Sequence, residues 1–200
     1  MPVLDVEGLT VEFFTKMGTH HVLKDVNLRI DRGEIIGLIG ESGCGKSMLA
    51  MSILDINTYK RQMSGRISFM GENIQKLGRK RLRELRGRHI GFVPQSSMNA
   101  LNPLVRVRKQ FIETIRDHAD MPEKEMNNLI SDILSLVSID PSRMNSFPYE
   151  FSGGQRQRIM IALAMLLSPE LIIADEPTTA LDAMIQLQMI DLLKDMARQK

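Results

Sequence analysis

A single cysteine, Cys44, excludes any disulfide within the chain and points to a reducing compartment. No apolar run is long enough to span a bilayer, so a membrane role has to come through a partner. The N-terminus, Met1-Pro2-Val3-Leu4-Asp5-Val6, lacks a basic region followed by an apolar core and does not read as a signal peptide. Net charge is small: 26 Lys and Arg against 24 Asp and Glu leave +2, too little by itself to argue for nucleic acid. Internal repeats and low-complexity stretches are absent. What remains is a soluble globular composition, 43% hydrophobic and 25% charged. The 200 residues can bury a real core and suit one domain, or a core domain with a sub-domain.

Val3 to Phe14 and Val22 to Ile30 are rich in β-branched or aromatic residues and read as strands. Thr15-Lys16-Met17-Gly18-Thr19 reads as the turn between them, and Asp31-Arg32-Gly33 as a second turn. Glu34 to Ile39 reads as a short apolar strand, followed by a glycine-rich loop and a helix from about Lys46 to Leu54. Arg66 to Met70 and Ile90 to Val93 read as further strands. From 105 to 140 the spacing turns helical, with Met126, Ile130, Ile133, Leu134 and Val137 in phase, and Pro141 and Pro148 punctuate its end. A helix from about Gly153 to Leu167, a buried strand Leu171 to Ala174 and a helix from about Ala183 to Arg198 follow. Alternating strands and helices imply an α/β fold with a mostly parallel sheet covered on both faces. Residues 100–150 read as a helical sub-domain inserted between core segments 1–99 and 151–200.

The sharpest motif is Gly40-Glu41-Ser42-Gly43-Cys44-Gly45-Lys46-Ser47, which fits the Walker A pattern between an expected strand and an expected helix. Its glycines let the backbone curl so that amide N–H groups point at phosphate oxygens, and the helix that follows adds its N-terminal partial charge. Lys46 reaches the β- and γ-phosphates in this reading, and the Ser47 hydroxyl ligates Mg²⁺. A flexible surface loop is the competing account, and it leaves the flanking elements unexplained. Leu171-Ile172-Ile173-Ala174 ends in two acids, Asp175 and Glu176. Acids at the C-terminal end of a parallel strand lie at the rim where ligands bind in open α/β sheets. Asp175 then holds Mg²⁺ through water, and Glu176 polarises the attacking water or accepts its proton. Pro177 stops the strand.

Those two motifs are common to many phosphate-loop proteins; Ser152-Gly153-Gly154-Gln155-Arg156-Gln157-Arg158 narrows the field. Ser152 can cap a helix start, and the two glycines expose backbone amides to an anion. The segment closely resembles the signature motif of ABC ATPases. The resemblance implies a P-loop core, an N-terminal antiparallel β sub-domain and the helical insertion. It also implies that Ser152, Gly153, Gly154 and Gln155 close over the γ-phosphate of ATP held by a second ATPase domain. Gln95 resembles the Q-loop glutamine, which touches Mg²⁺ and the attacking water. Thr179-Ala180-Leu181-Asp182 resembles the D-loop that crosses the dimer interface. Phe13 resembles the aromatic that stacks on adenine, with a core role left open because Phe14 is adjacent.

Ala100-Leu101-Asn102-Pro103, Pro148-Tyr149-Glu150-Phe151 and the run from Ile173 to Asp182 are similar to ATPase subunits of oligopeptide, dipeptide and nickel importers. The implied partners are a second ABC ATPase domain, transmembrane permease subunits and, indirectly, an extracytoplasmic substrate-binding protein. The implied location is the cytoplasmic face of the cell membrane, and no nucleic acid is expected. A soluble ABC ATPase acting on DNA or ribosomes is the second reading. It usually carries a large insertion or a second ATPase domain, and neither is visible here. A nucleotide-gated dimerisation module with little turnover is the third, and Glu176 argues against it. The family's switch histidine lies on a strand after the last helix. His20, His21, His89 and His118 all precede Asp175, so the chain reads as a cassette cut short at its C-terminal end, and the expectation of hydrolysis does not extend to this chain alone. The basic run Arg79 to Arg88 reads as a solvated helix face, and His20-His21 offers too few ligands for a metal shell.

Overall fold

A computed structural model describes residues 1–200 apart from 16–17, 57–60, 96–99, 178–185, 188–189, 192–193 and 195–200. The chain divides into two compact units, Met1–Arg83 with Lys194–Lys200, and Glu84–Leu193. The first is built on an antiparallel sheet of β1 (Leu4–Thr15), β2 (Gly18–Ile30), β3 (Arg61–Phe69) and β4 (Glu72–Asn73), in the order β2-β1-β3-β4. β1 is central: Leu4 lies opposite Ile30 on one side and Phe69 on the other. Leu4, Val6, Leu9, Val11, Ile67 and Phe69 are buried, each stabilising the fold by about 1.5–3 kcal/mol. Register shifts along β1, between Val6 and Leu9 and again near Val11, break the two-residue period and account for its partial alternation. α1 (Lys46–Ile53) follows the glycine-rich loop and buries Leu49, Ala50 and Ile53.

The expected strand Glu34 to Ile39 is not one. No strand among the described residues pairs with it, and its side chains face solvent, Ile35 at 57% and Ile39 at 96% exposure. A continuous apolar run reads as a strand buried on both faces, but a strand exists only when its backbone N–H and C=O groups meet a ladder partner. The turn before it does form: Glu34 N–H donates to the Asp31 carbonyl at 3.2 Å, and the Glu34 carboxylate accepts from Asp31 N–H at 2.8 Å.

α2 (Arg79–Arg88) buries Leu82 and Leu85 and exposes Arg79, Lys80 and Arg83, the solvated face expected of the basic run. In the second unit β5 (Ile90–Val93) and β6 (Leu171–Ala174) pair in parallel, Ile90 opposite Leu171 and Val93 opposite Ala174. They form a separate two-stranded sheet, the parallel pairing among the described residues. α3 (Val107–Arg116) turns Val107, Phe111 and Ile115 inward, and α4 (Glu123–Leu136) turns Met126, Ile130 and Leu134 inward, in the phase read from the sequence for that stretch. Arg108 ties them together, donating to Asn127 at 2.7 Å and to Glu123 at 2.5 Å. Two 3₁₀ turns, Pro141–Asn145 and Pro148–Glu150, each opened by a proline, lead to α5 (Gly153–Met165). Of the helix expected over 183–198, Gln186, Leu187, Ile190, Asp191 and Lys194 are described, all helical.

α5 lies close against β5 because residue 91 is glycine. A Cβ there would collide with the Ala164 carbonyl oxygen and lie 3.2 Å from Pro169 Cγ. Gly91→Ala is expected to destabilise the protein by about 2–3 kcal/mol through overpacking against backbone; urea denaturation measures it.

Candidate functional site

The phosphate loop lies in the first unit. Gly43 and Gly45 take left-handed conformations, with φ of 82° and 102°, and Gly45 is the N-cap of α1. No side chain caps this end, so the first N–H groups of α1 have no N-cap side-chain acceptor. The loop rests on β2: a Cβ at Gly45 would lie 2.7 Å from Leu23 Cδ2 and 3.0 Å from the Val22 carbonyl oxygen. Lys46 curls back into its own loop. Its Nζ donates to the carbonyls of Gly40 and Glu41, both at 2.8 Å, and lies 3.7 Å from Cys44 Sγ. Glu41, Ser42 and Cys44 are exposed and Ser47 is half-buried. On β1, Val11 pairs with Leu23, and Phe13, beyond a register shift, pairs with His20. Phe13 is half-buried and Phe14 exposed, so neither belongs to the core.

The acid pair and the signature segment lie in the second unit. Asp175 N–H donates to the Val93 carbonyl at 2.9 Å, extending the β5–β6 ladder by one rung. Just beyond it, Gln95 Nε2 donates to Glu176 Oε2 at 2.9 Å. A carboxylate only accepts, so the Gln95 amide nitrogen faces Glu176 and its carbonyl oxygen is directed elsewhere. Glu176 sits at φ 50°, a left-handed conformation uncommon outside glycine and asparagine. Gln157 on α5 holds the next residue, donating to the Pro177 carbonyl from a position 2% exposed. Gln157 belongs to the signature segment without a site role of its own there; its spacing from Ile161 and Met165 puts it on the buried face of α5.

Ser152 caps α5 in a reciprocal box. Its hydroxyl oxygen accepts from Gln155 N–H at 3.3 Å, and Gln155 Oε1 accepts from Ser152 N–H at 3.0 Å. Gly153 and Gly154 form the first helical positions, where amide N–H groups have no intrahelical acceptor. The D-loop residues Thr179, Ala180, Leu181 and Asp182 lie outside the described residues. His21 faces Glu12 at 2.9 Å, and no cluster of three metal-ligating side chains occurs among the described residues.

The sequence model of the ABC transporter family matches residues 23–179. The chain belongs to that family. Among ABC transporter relatives, it is 45% identical over 202 residues to the probable D,D-dipeptide transport ATP-binding protein DdpD of Escherichia coli, covering 98% of this chain and 61% of that protein. It is 38% identical over 203 residues to the oligopeptide transport ATP-binding protein OppD of Bacillus subtilis, covering 98% and 56%. The chain thus spans about three-fifths of the length of the curated relatives it matches. An ATP-binding cassette solved as a dimer in a post-hydrolysis state with ADP and Pi superposes with a TM-score of 0.87 at 28% identity, over 98% of this chain and 83% of that one. The cassette cbiO1 of Clostridium perfringens, part of an ABC transporter complex, gives 0.80 at 30%, over 99% and 74%. The fold is that of an ABC ATPase cassette.

Cys44, the lone thiol, is exposed beside Lys46. It is expected to react with a small maleimide in the free protein and to be shielded by MgATP at least about tenfold, by exclusion from a filled loop. Mass spectrometry of the adducts reads this, and equal labelling with and without MgATP would count against nucleotide in this loop.

Proposed function

We propose that the chain is the ATP-binding and ATP-hydrolysing part of a subunit that powers peptide import. The contact between Gln95 and Glu176 carries the reading: two polar side chains, far apart in sequence, meet beyond the carboxyl ends of adjacent parallel strands. In this reading Lys46 exchanges the carbonyls of Gly40 and Glu41 for β- and γ-phosphate oxygens, and the amides of 40–47 cradle the phosphates. Phe13 stacks on adenine. Ser47, Asp175 and Gln95 offer hydroxyl, carboxylate and amide oxygens, the hard donors that suit Mg²⁺. With its amide nitrogen on Glu176, Gln95 has its oxygen available for that role. Bound Mg²⁺ supplies charge neutralisation at the phosphates. Glu176 accepts the proton of the attacking water, and Gln95 orients the carboxylate that does so.

Ser152, Gly153, Gly154 and Gln155 present amides to the γ-phosphate of a second cassette, so ATP binding closes a dimer and hydrolysis reopens it. The solved dimeric cassette with ADP and Pi supports this cycle. Permease subunits at the cytoplasmic face of the membrane, fed by a substrate-binding protein, receive the motion. Residues 100–150 are the helical sub-domain that meets them, inserted between core segments 1–99 and 151–200. The names of the dipeptide and oligopeptide relatives support peptide rather than nickel as cargo.

Lys46→Ala is expected to weaken MgATP binding about a hundredfold, because charge-assisted contacts to phosphate are lost; calorimetry showing unchanged affinity would remove the Walker A assignment. Glu176→Gln in the full-length protein is expected to keep MgATP affinity, lower turnover at least about a hundredfold and accumulate an ATP-bound dimer on size-exclusion chromatography. Wild-type turnover in that variant would mean that another group takes the proton.

A further inference from the structure

The segment from Arg143 to Phe151 leads into the signature helix and is held by two arginines, each lying on a phenylalanine ring. Arg106 stacks over Phe147, 4.7 Å from the centroid, and donates to the Asn145 carbonyl at 2.5 Å. Phe147 stacks in turn on Tyr149, rings 5.4 Å apart and 8° from parallel. Arg143 lies over the buried Phe151, 4.3 Å from its centroid. The two arginines differ in what else they touch. Arg106 ends on this segment, whereas Arg143 reaches the helix cap itself. Its Nη2 donates to the Glu150 carbonyl at 2.8 Å and its Nη1 to Gln155 Oε1 at 3.5 Å. That oxygen is the one that accepts from Ser152 N–H and closes the capping box.

We propose that Arg143 is a positioning residue for the signature segment, fixing Gln155 and Phe151 so that the amides of Gly153 and Gly154 are presented to an anion from outside the chain. Three features support it. The planar guanidinium spans two acceptors and a ring face at once, which an ammonium cannot do. Gln155 Oε1 takes both donors, Ser152 N–H at 3.0 Å and Arg143 at 3.5 Å, and both favour the orientation that closes the box. The charge also stands beside the end of α5 that already carries the positive end of the helix dipole, which raises the attraction for a phosphate there. Arg143 is itself anchored on the 3₁₀ turn whose N-cap Asp140 accepts from Ser142 N–H at 2.9 Å. The Ser142 backbone, then its hydroxyl, then the Arg143 charge hold the Asp140 carboxyl below the ordinary carboxylate range.

The role in dimer closure rests on the function proposed above; the fixing of the cap does not. Two readouts separate them. Arg143→Met keeps a stem over Phe151 and removes every donor. In the full-length protein it is expected to speed amide hydrogen exchange of Gln155 and Arg156 about tenfold, the loss of a charge-assisted bond. Exchange in β5 and α3 should stay unchanged. Arg106→Met, which loosens the same segment without touching the cap, should leave Gln155 exchange within about twofold of the parent. Combined with Glu176→Gln, Arg143→Met should raise the ATP concentration for half-maximal dimerisation about tenfold while the monomer's MgATP affinity stays put. Unchanged exchange at Gln155 overturns the positioning role, and faster exchange with unchanged dimerisation overturns its connection to closure. If the Glu176→Gln parent forms no ATP-dependent dimer, the proposed function fails and the exchange arm still decides the cap. Should Arg143→Met not fold, Arg143→Lys serves: an intermediate rise in exchange supports the fork geometry, and parent-like exchange overturns it.

Discussion

Gln95 and Glu176 are 81 residues apart in the chain, and the ladder between β5 and β6 closes that distance. The second unit is organised around this parallel pairing. Parallel strands run in one direction, so both deliver their following residues to the same end. Asp175 adds one more rung through the Val93 carbonyl, and the next residue is then free to leave the sheet. It does so at a left-handed φ, a conformation that costs a non-glycine residue on the order of 1–3 kcal/mol and persists only where the surroundings enforce it. The surroundings here are Pro177 and the buried amide of Gln157 that holds its carbonyl. Removing the ladder would leave the acid, the glutamine and the constrained turn without a common frame.

The same unit shows how a helix end is kept open while being held firmly. The capping box of Ser152 and Gln155 satisfies two donors and leaves the glycine amides between them. Glycine at these positions keeps side-chain bulk away from those amides, and the firmness has to come from elsewhere. It comes from the preceding turns, where Glu150 accepts from Phe147 N–H at 2.5 Å and Arg143 lies over Phe151. The stretch Pro148-Tyr149-Glu150-Phe151 thereby acquires a physical meaning: Glu150 and Phe151 fix the approach to α5.

Local patterns carried most of this into the sequence. Ile90 to Val93 and Leu171 to Ala174 are observed with the bounds that their composition implies, because turn residues flank short apolar runs. α4 follows its 3.6-residue phase, and the start of α5 follows its cap. What was not legible depends on distant partners. The run Ile35 to Ile39 has the composition of a buried strand but meets no ladder among the described residues. Phe13 could not be told from a core residue until the packing of β1 left it half-buried, outside the core. Arg143 was invisible because nothing in a linear sequence states which ring or cap an arginine reaches. The bond from Gln157 to the Pro177 carbonyl needed the packing of α5 before it could be seen.

The lysine of the phosphate loop has its own consequence. Lys46 is satisfied by two carbonyl oxygens of the loop that carries it. An entering anion therefore competes with those dipoles instead of meeting a bare cation. A small singly charged ion offers one acceptor in exchange for two and gains little. A polyphosphate offers several oxygens, multiple charge and contacts along the whole loop, and it gains enough to release the ammonium. On the proposed function, whatever replaces those two carbonyls has to bring at least as many oxygens, which favours a chain of phosphates over a simple anion.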